Sequence, residues 1–350
     1  MQDVGPEIII WDTTFACPLR CVHCYSESGR RPSRQLRDPA DMLRLADAFI
    51  ALKPSVVSLA GGEPLLIRNI LAIAEKLSAA GISTCIYTSG WLFDESMPDK
   101  LAEVFNQISV SVDGASAETH DRIRGRAGSF DRASRALELL DQAARRRVDE
   151  GRRPPAFMLE FVVIRSNFDE IERFVATMSS RYPRLKAISF NAAAPSGLGS
   201  GVVFGETELL HDDQLELLVS AEFRARLQDA AGEEISVSTT DNLGLVRPPS
   251  RSRHREESSV MQVEPDGAVR WMPVYEGSVG NLLEEDPYVV WSRAMDRWTD
   301  PFVVETLAPV RTVRQWAEAV RRLNDRFGAE ADRERIERRA VPLAIVPSRS

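Results

Sequence analysis

At 350 residues the chain is long enough for about two domains, or for one large α/β domain with an appendage. Hydrophobic residues make up 43% and charged residues 27%, a globular composition that excludes wholesale disorder. The net charge of −8, from 44 basic and 52 acidic residues, argues against a generic binder of nucleic acid or of an anionic membrane, since such proteins are basic.

The first apolar run, residues 8–12, reads as a strand and is far too short to span a membrane. The acidic residues before it lack the pattern of a signal peptide, so a cytoplasmic protein with no membrane partner is expected. Asp38 followed by Pro39 predicts a helix start, with Met42, Leu45, Phe49 and Ile50 on one face. Further strands are expected at 56–60, 82–88, 107–112, 157–164 and 186–191. Between them, Ile67, Ile70, Leu71, Ala74 and Leu77 recur at helical spacing before Gly81, and Phe130, Ala133, Leu137, Leu140 and Ala144 do so later. Such alternation predicts a parallel sheet with helices outside, as a flat doubly wound sheet or as an open barrel. Residues 195–201 form a glycine-rich loop, and 235–239 read as another strand. The proline-, serine- and charge-rich stretch 247–259 is the clearest linker. Residues 260–269 predict a hairpin turning at Asp266-Gly267. From about Arg311 an arginine- and glutamate-rich helical tail is expected to lie solvated on the outside. Of the histidines, His120, His211 and His254 read as surface residues.

Three of the four cysteines, Cys17, Cys21 and Cys24, fall inside eight residues directly after the first strand. Spacing this tight does not build a disulfide framework and points to metal ligation. Three thiolates can hold three corners of a [4Fe-4S] cluster, leaving the fourth iron for an outside ligand. A zinc site using His23 as a fourth ligand is the competing reading.

The spacing CxxxCxxC resembles that of the radical S-adenosylmethionine (SAM) superfamily. So do Gly61-Gly62-Glu63-Pro64 after the second strand, Thr88-Ser89-Gly90 at the end of the third, and the series from Ser109 to Phe130 around the fourth. Residues 163–167 and 195–197 fall where that family's fifth and sixth strands contribute SAM contacts. The resemblance implies a partial (β/α)6 TIM-like barrel with parallel strands over residues 1–246. It implies one [4Fe-4S] cluster on Cys17, Cys21 and Cys24, and SAM contacts from Gly61, Gly62, Glu63, Ser111, Asp113 and Arg124. In it, Glu63 orients the SAM ammonium and Arg124 pairs with the SAM carboxylate. After the linker, residues 260–310 are similar to a SPASM module whose cysteine ligands are gone. Met272 stands at the cysteine position, and no cysteine follows Cys85, so no auxiliary cluster is expected. The helical tail is 311–350.

For function, the resemblance implies reductive cleavage of SAM to a 5′-deoxyadenosyl radical that abstracts hydrogen from a substrate, with an electron donor such as flavodoxin or ferredoxin. Loss of the auxiliary ligands favours a small-molecule substrate of sugar or nucleoside type in natural-product biosynthesis, undergoing epimerisation, decarboxylation, dehydration or C–C coupling. A maturase acting on a ribosomally made precursor peptide is the alternative, and a non-catalytic zinc- or cluster-binding regulator is an alternative of another class. No residue is assigned as catalytic, and Cys85, inside the third strand, reads as a buried structural thiol.

Overall fold

A computed structural model describes residues 5–31, 36, 38–248 and 259–339. His254, most of the expected linker and the end of the tail lie outside these residues. Ten strands form one sheet: β1 Ile8–Asp12, β2 Val56–Ala60, β3 Ser83–Thr88, β4 Gln107–Ser111, β5 Phe157–Val163, β6 Ala187–Ala192, β7 Ser236–Thr240, β8 Val260–Val263, β9 Ala268–Arg270 and β10 Ser278–Asn281. Their order is β10-β9-β8-β1-β2-β3-β4-β5-β6-β7, with every neighbour from β8 through β7 parallel. The six strands expected of the barrel are β1–β6. β7 extends one edge and β8 the other.

Helices cover the outer face because that face carries the large apolar side chains. In β5 the buried residues Phe157, Leu159, Phe161 and Val163 alternate with partly exposed Met158, Glu160 and Val162. Phe161 meets Phe174 of the helix Ile171–Arg181 edge-on at 4.8 Å. The alternate residues therefore face away from the helices, into the lumen of the barrel. The first helix, Pro39–Leu52, starts as its sequence predicts: the Asp38 side chain accepts from the Ala40 amide. No helix among the described residues is long and apolar enough to cross a membrane.

The C-terminal segment continues the sheet. β8 and β9 are antiparallel, joined through Asp266-Gly267, and β8 lies in register with β1. Met272 and Trp271 are buried, and Trp271 stacks on Tyr275 at 4.6 Å. The expectation of a solvated tail is corrected. The helix Val313–Phe327 buries Trp316, Val320 and Leu323, and the Trp316 indole donates to the Tyr275 hydroxyl. Its sequence is dominated by charge, but the few apolar residues share one face, and that face packs. His120 also departs from expectation. It is 1% exposed, and its Nδ1 accepts from the Asp113 amide. Burial, with Arg124 nearby, lowers its pKa to about 3. His211 is exposed as expected.

Candidate active site

The loop after β1 carries Cys17, Cys21 and Cys24, all unbridged and partly exposed. It has no regular secondary structure, so its shape rests on backbone bonds to neighbouring strand ends. The Gly62 amide donates to the Thr14 carbonyl and the Glu63 amide to Ala16; Arg20 and Val22 donate to Arg124 and Ile123; Leu198 donates to Cys24. Two glycines make these approaches possible. A Cβ on Gly62 would sit 2.0 Å from the Ala16 oxygen, and one on Gly197 2.1 Å from the Tyr25 oxygen. Gly197 also takes a positive φ of 50°.

The donor set suits an iron–sulfur cluster. Amides of Leu19 and Ser28 point at the sulfurs of Cys17 and Cys24, and an Arg124 nitrogen lies 3.8 Å from that of Cys21. Burial and the neighbouring sulfurs push Cys17 up to about 12; burial, partly offset by Arg124, leaves Cys21 at about 11. Thiols raised this far ionise together only when a cationic centre binds them, as at Cys17 and Cys21. His23 is engaged elsewhere: its Nε2 lies 2.7 Å from Asp113 Oδ2. That geometry speaks against the four-ligand zinc reading. Among the described residues, no three His, Cys, Asp or Glu side chains group closely enough to hold a single metal ion.

The residues expected to contact SAM surround this loop. Gly61, Gly62 and Glu63 follow β2; Ser111 ends β4, partly exposed, with Asp113 two residues on; Arg124 ends the helix Ala117–Arg124. Asp113 is fully buried. Its carboxylate meets His23 and, at 2.7 Å, Arg124 Nε, and accepts from the Val162 amide. Burial would raise its pKa, but Arg124 and His23 outweigh burial and hold it well below the usual range. The Glu63 carboxylate is likewise buried and accepts from the Thr88 hydroxyl and from the amide and hydroxyl of Ser89. Its carboxylate thus binds the β2 end to the β3 end, leaving backbone groups to meet a ligand.

Below these motifs, side chains from β3 to β6 converge in the lumen: Cys85, Tyr87, Ser109, Glu160 and Asn191. Asn191 Nδ2 donates to Glu160 at 3.0 Å, and the Ser109 hydroxyl lies 3.5 Å away. Burial pushes Glu160 up to about 7, against these two hydrogen bonds. Burial and then Glu160 push the Cys85 thiol up to about 11, so it is a neutral thiol at physiological pH. Cys85→Ala is expected to cost about 1 kcal/mol in denaturant unfolding and to leave the mass of the turnover product unchanged. A variant that forms no product while still cleaving SAM would make Cys85 a hydrogen donor.

Above the loop lies an ionic cluster that sequence reasoning missed. Arg270 pairs with Glu264 at 2.8 Å and Glu276 at 2.9 Å, all three nearly inaccessible. Arg31 pairs with Glu264, Arg335 with Glu27 and Glu276, and Arg339 with Glu27. Burial would raise the pKa of Glu276, but Arg270, Arg335 and Arg31 bring it down to about 2. Glu27 and Arg335 lie 308 residues apart, and no local pattern announces such a pair.

Residues 11–176 match the family described as "Radical SAM superfamily". Among curated proteins, the chain is 32% identical over 204 residues to the mycofactocin maturase MftC of Mycolicibacterium smegmatis, covering 57% of this chain and 47% of the relative. It is 35% identical over 141 residues to the AdoMet-dependent heme synthase of Methanosarcina barkeri, covering 40% of each. The chain spans about half the length of the curated relatives it matches. Among solved structures, Streptococcus suis SuiB bound to S-adenosylmethionine aligns with TM-score 0.65 and 14% identity, over 94% of this chain and 77% of that one. Native anSMEcpe with bound AdoMet aligns with TM-score 0.58 and 17% identity, over 97% of both. These structural similarities establish the shared fold.

Proposed function

We propose, from the match of residues 11–176 to the radical SAM family, that the chain is a radical SAM enzyme whose reaction takes place in the barrel lumen. The observation that carries the proposal is the cysteine loop itself: three thiols, with amide donors at the sulfurs of Cys17 and Cys24 and Arg124 beside that of Cys21, framed by the segment after β2, the C-terminus of the helix Ala117–Arg124 and the turn at Gly197–Ser200. Cys17, Cys21 and Cys24 would hold a [4Fe-4S] cluster, with SAM against Gly61, Gly62, Glu63, Ser111 and the Asp113–Arg124 pair. When bound, these cofactors supply one-electron cleavage of SAM and abstraction of a hydrogen atom from a substrate carbon; the electron comes from an external donor such as a flavodoxin or ferredoxin. Arg124 places positive charge beside Cys21, which favours the thiolate. Asp113 fixes Arg124 and His23 in place. Glu63 locks the β2 and β3 ends against each other. The lumen then positions the substrate and limits solvent access.

For the substrate, the hydroxyl- and amide-lined lumen and the missing auxiliary cysteines support a polar small molecule of sugar or nucleoside type. A second reading, a precursor peptide, is favoured by the similarity to MftC and to SuiB, the latter solved bound to its precursor peptide SuiA. Anaerobic reconstitution with iron and sulfide tests the core of the proposal. About four irons per chain and release of 5′-deoxyadenosine with dithionite and SAM are expected; a colourless protein with one zinc would overturn it. Mass spectrometry of turnovers with sugars, nucleosides and candidate peptides separates the two substrate readings.

A further inference from the structure

Glu160 is a carboxyl group in the lumen that finds no counter-ion among the described residues. It is partly exposed toward the lumen while its strand neighbours Leu159 and Phe161 are fully buried. Among the described residues no lysine or arginine pairs with it. The titratable groups that face it are Cys85 and Tyr87 of β3, both of which it pushes toward their neutral forms. From β4 and β6 it meets only the neutral Ser109 and Asn191. A desolvated carboxylate with no cation nearby is costly to keep ionised, and folds retain such groups where a ligand supplies the missing charge.

The form of that charge follows from the hydrogen bonds already made. Asn191 occupies Oε2, and Ser109 stands beside Oε1. A planar guanidinium binds best when both oxygens of one carboxylate edge are free, whereas an ammonium is a compact point charge that one free lone pair satisfies. A metal ion would need further ligands, and among the described residues no group of three lies close enough.

We propose that Glu160 anchors the substrate through an aliphatic ammonium group, bound in the lumen between β3 and β6. The inference rests on the reading of the lumen as the reaction chamber, and within that reading it selects substrates that carry a free amine, such as an amino sugar or an amine-bearing peptide. The ammonium pairs with the ionised carboxylate, so binding strengthens as Glu160 loses its proton. With the carboxyl at about 7 in the free protein, the competent fraction, and with it the affinity, rises about tenfold from pH 6 to pH 8.

The test uses the anaerobically reconstituted protein with SAM, and n-butylammonium and 1-butanol as probes of equal length. Binding is followed by calorimetry or ligand-observed NMR. The wild type is expected to bind butylammonium at least about tenfold more tightly than butanol, with the stated rise between pH 6 and 8. Glu160→Gln should lose both the preference and the pH dependence while iron content and SAM affinity match the wild type. If Glu160→Gln does not fold, Glu160→Asp serves: the charge is kept, so the pH dependence persists with weaker binding. Equal binding of both probes by the wild type, or an unchanged preference in Glu160→Gln, overturns the inference. A wild-type protein that takes up no iron instead overturns the radical SAM reading, so the two failures are distinguishable.

Discussion

Replacing Cys17, Cys21 and Cys24 together by alanine is expected to reduce iron after anaerobic reconstitution from about four per chain to near none, and to abolish SAM cleavage. The fold should survive. The loop is held by backbone bonds from Gly62, Glu63, Arg20, Val22 and Leu198, none of which uses a cysteine side chain as donor. The three cysteines are only partly buried, so their removal should change unfolding free energy by no more than about 1–2 kcal/mol. Iron and sulfide analysis beside denaturant unfolding checks both halves. Full iron loading in the triple variant would remove the loop from the cofactor site. Unfolding of the variant would mean that the cysteines are structural.

Glu276→Ala is expected to destabilise the protein by about 3–5 kcal/mol, because it leaves Arg270 and Arg335 buried without their shared partner. The same carboxylate sets an acid limit. Its folded pKa, about 2, lies below the ordinary glutamate value of about 4.3. Its contribution is therefore fully present above pH ~4.3 and is lost as pH falls toward 2. Glu276→Gln should flatten the stability profile in that window and leave its slope near neutrality unchanged. The helix Glu330–Glu337 buries no side chain, so its attachment rests on ion pairs, those of Arg335 and Asp332 and, just past its end, of Arg339. Limited proteolysis should cut near Gly328 sooner in both variants. Equal stability of Glu276→Ala and wild type would show that the cluster is neutral to folding.

Strand positions were readable because β-branched runs alternate with helical spacing, and the cysteine loop because its ligands are local. The hairpin at Asp266-Gly267 was readable for the same reason. Partnerships made across the fold were not. Asp113 was expected as a SAM contact, and only the folded chain brings His23, Arg124 and the Val162 amide onto it. His120 looked solvent-exposed because its burial depends on the fourth-strand loop folding back over it. Glu160 carried no motif at all; its meaning comes from lumen neighbours on β3, β4 and β6. The charge-rich tail misled because composition hides the single apolar face of the helix Val313–Phe327.

The glycines Gly62 and Gly197 invite a different error. Each sits where a methyl group would strike a carbonyl of the cysteine loop, Ala16 in one case and Tyr25 in the other. A mutational scan scored on cofactor loading would rank both beside the cysteines, and a reader of that scan would credit the whole loss to ligand contacts. Their task is that of a joint in a mould: they let the segments after β2 and β6 press the loop into shape before anything is poured in. Loss of loading at these positions would report a deformed mould, and supplying more iron or SAM would not restore it.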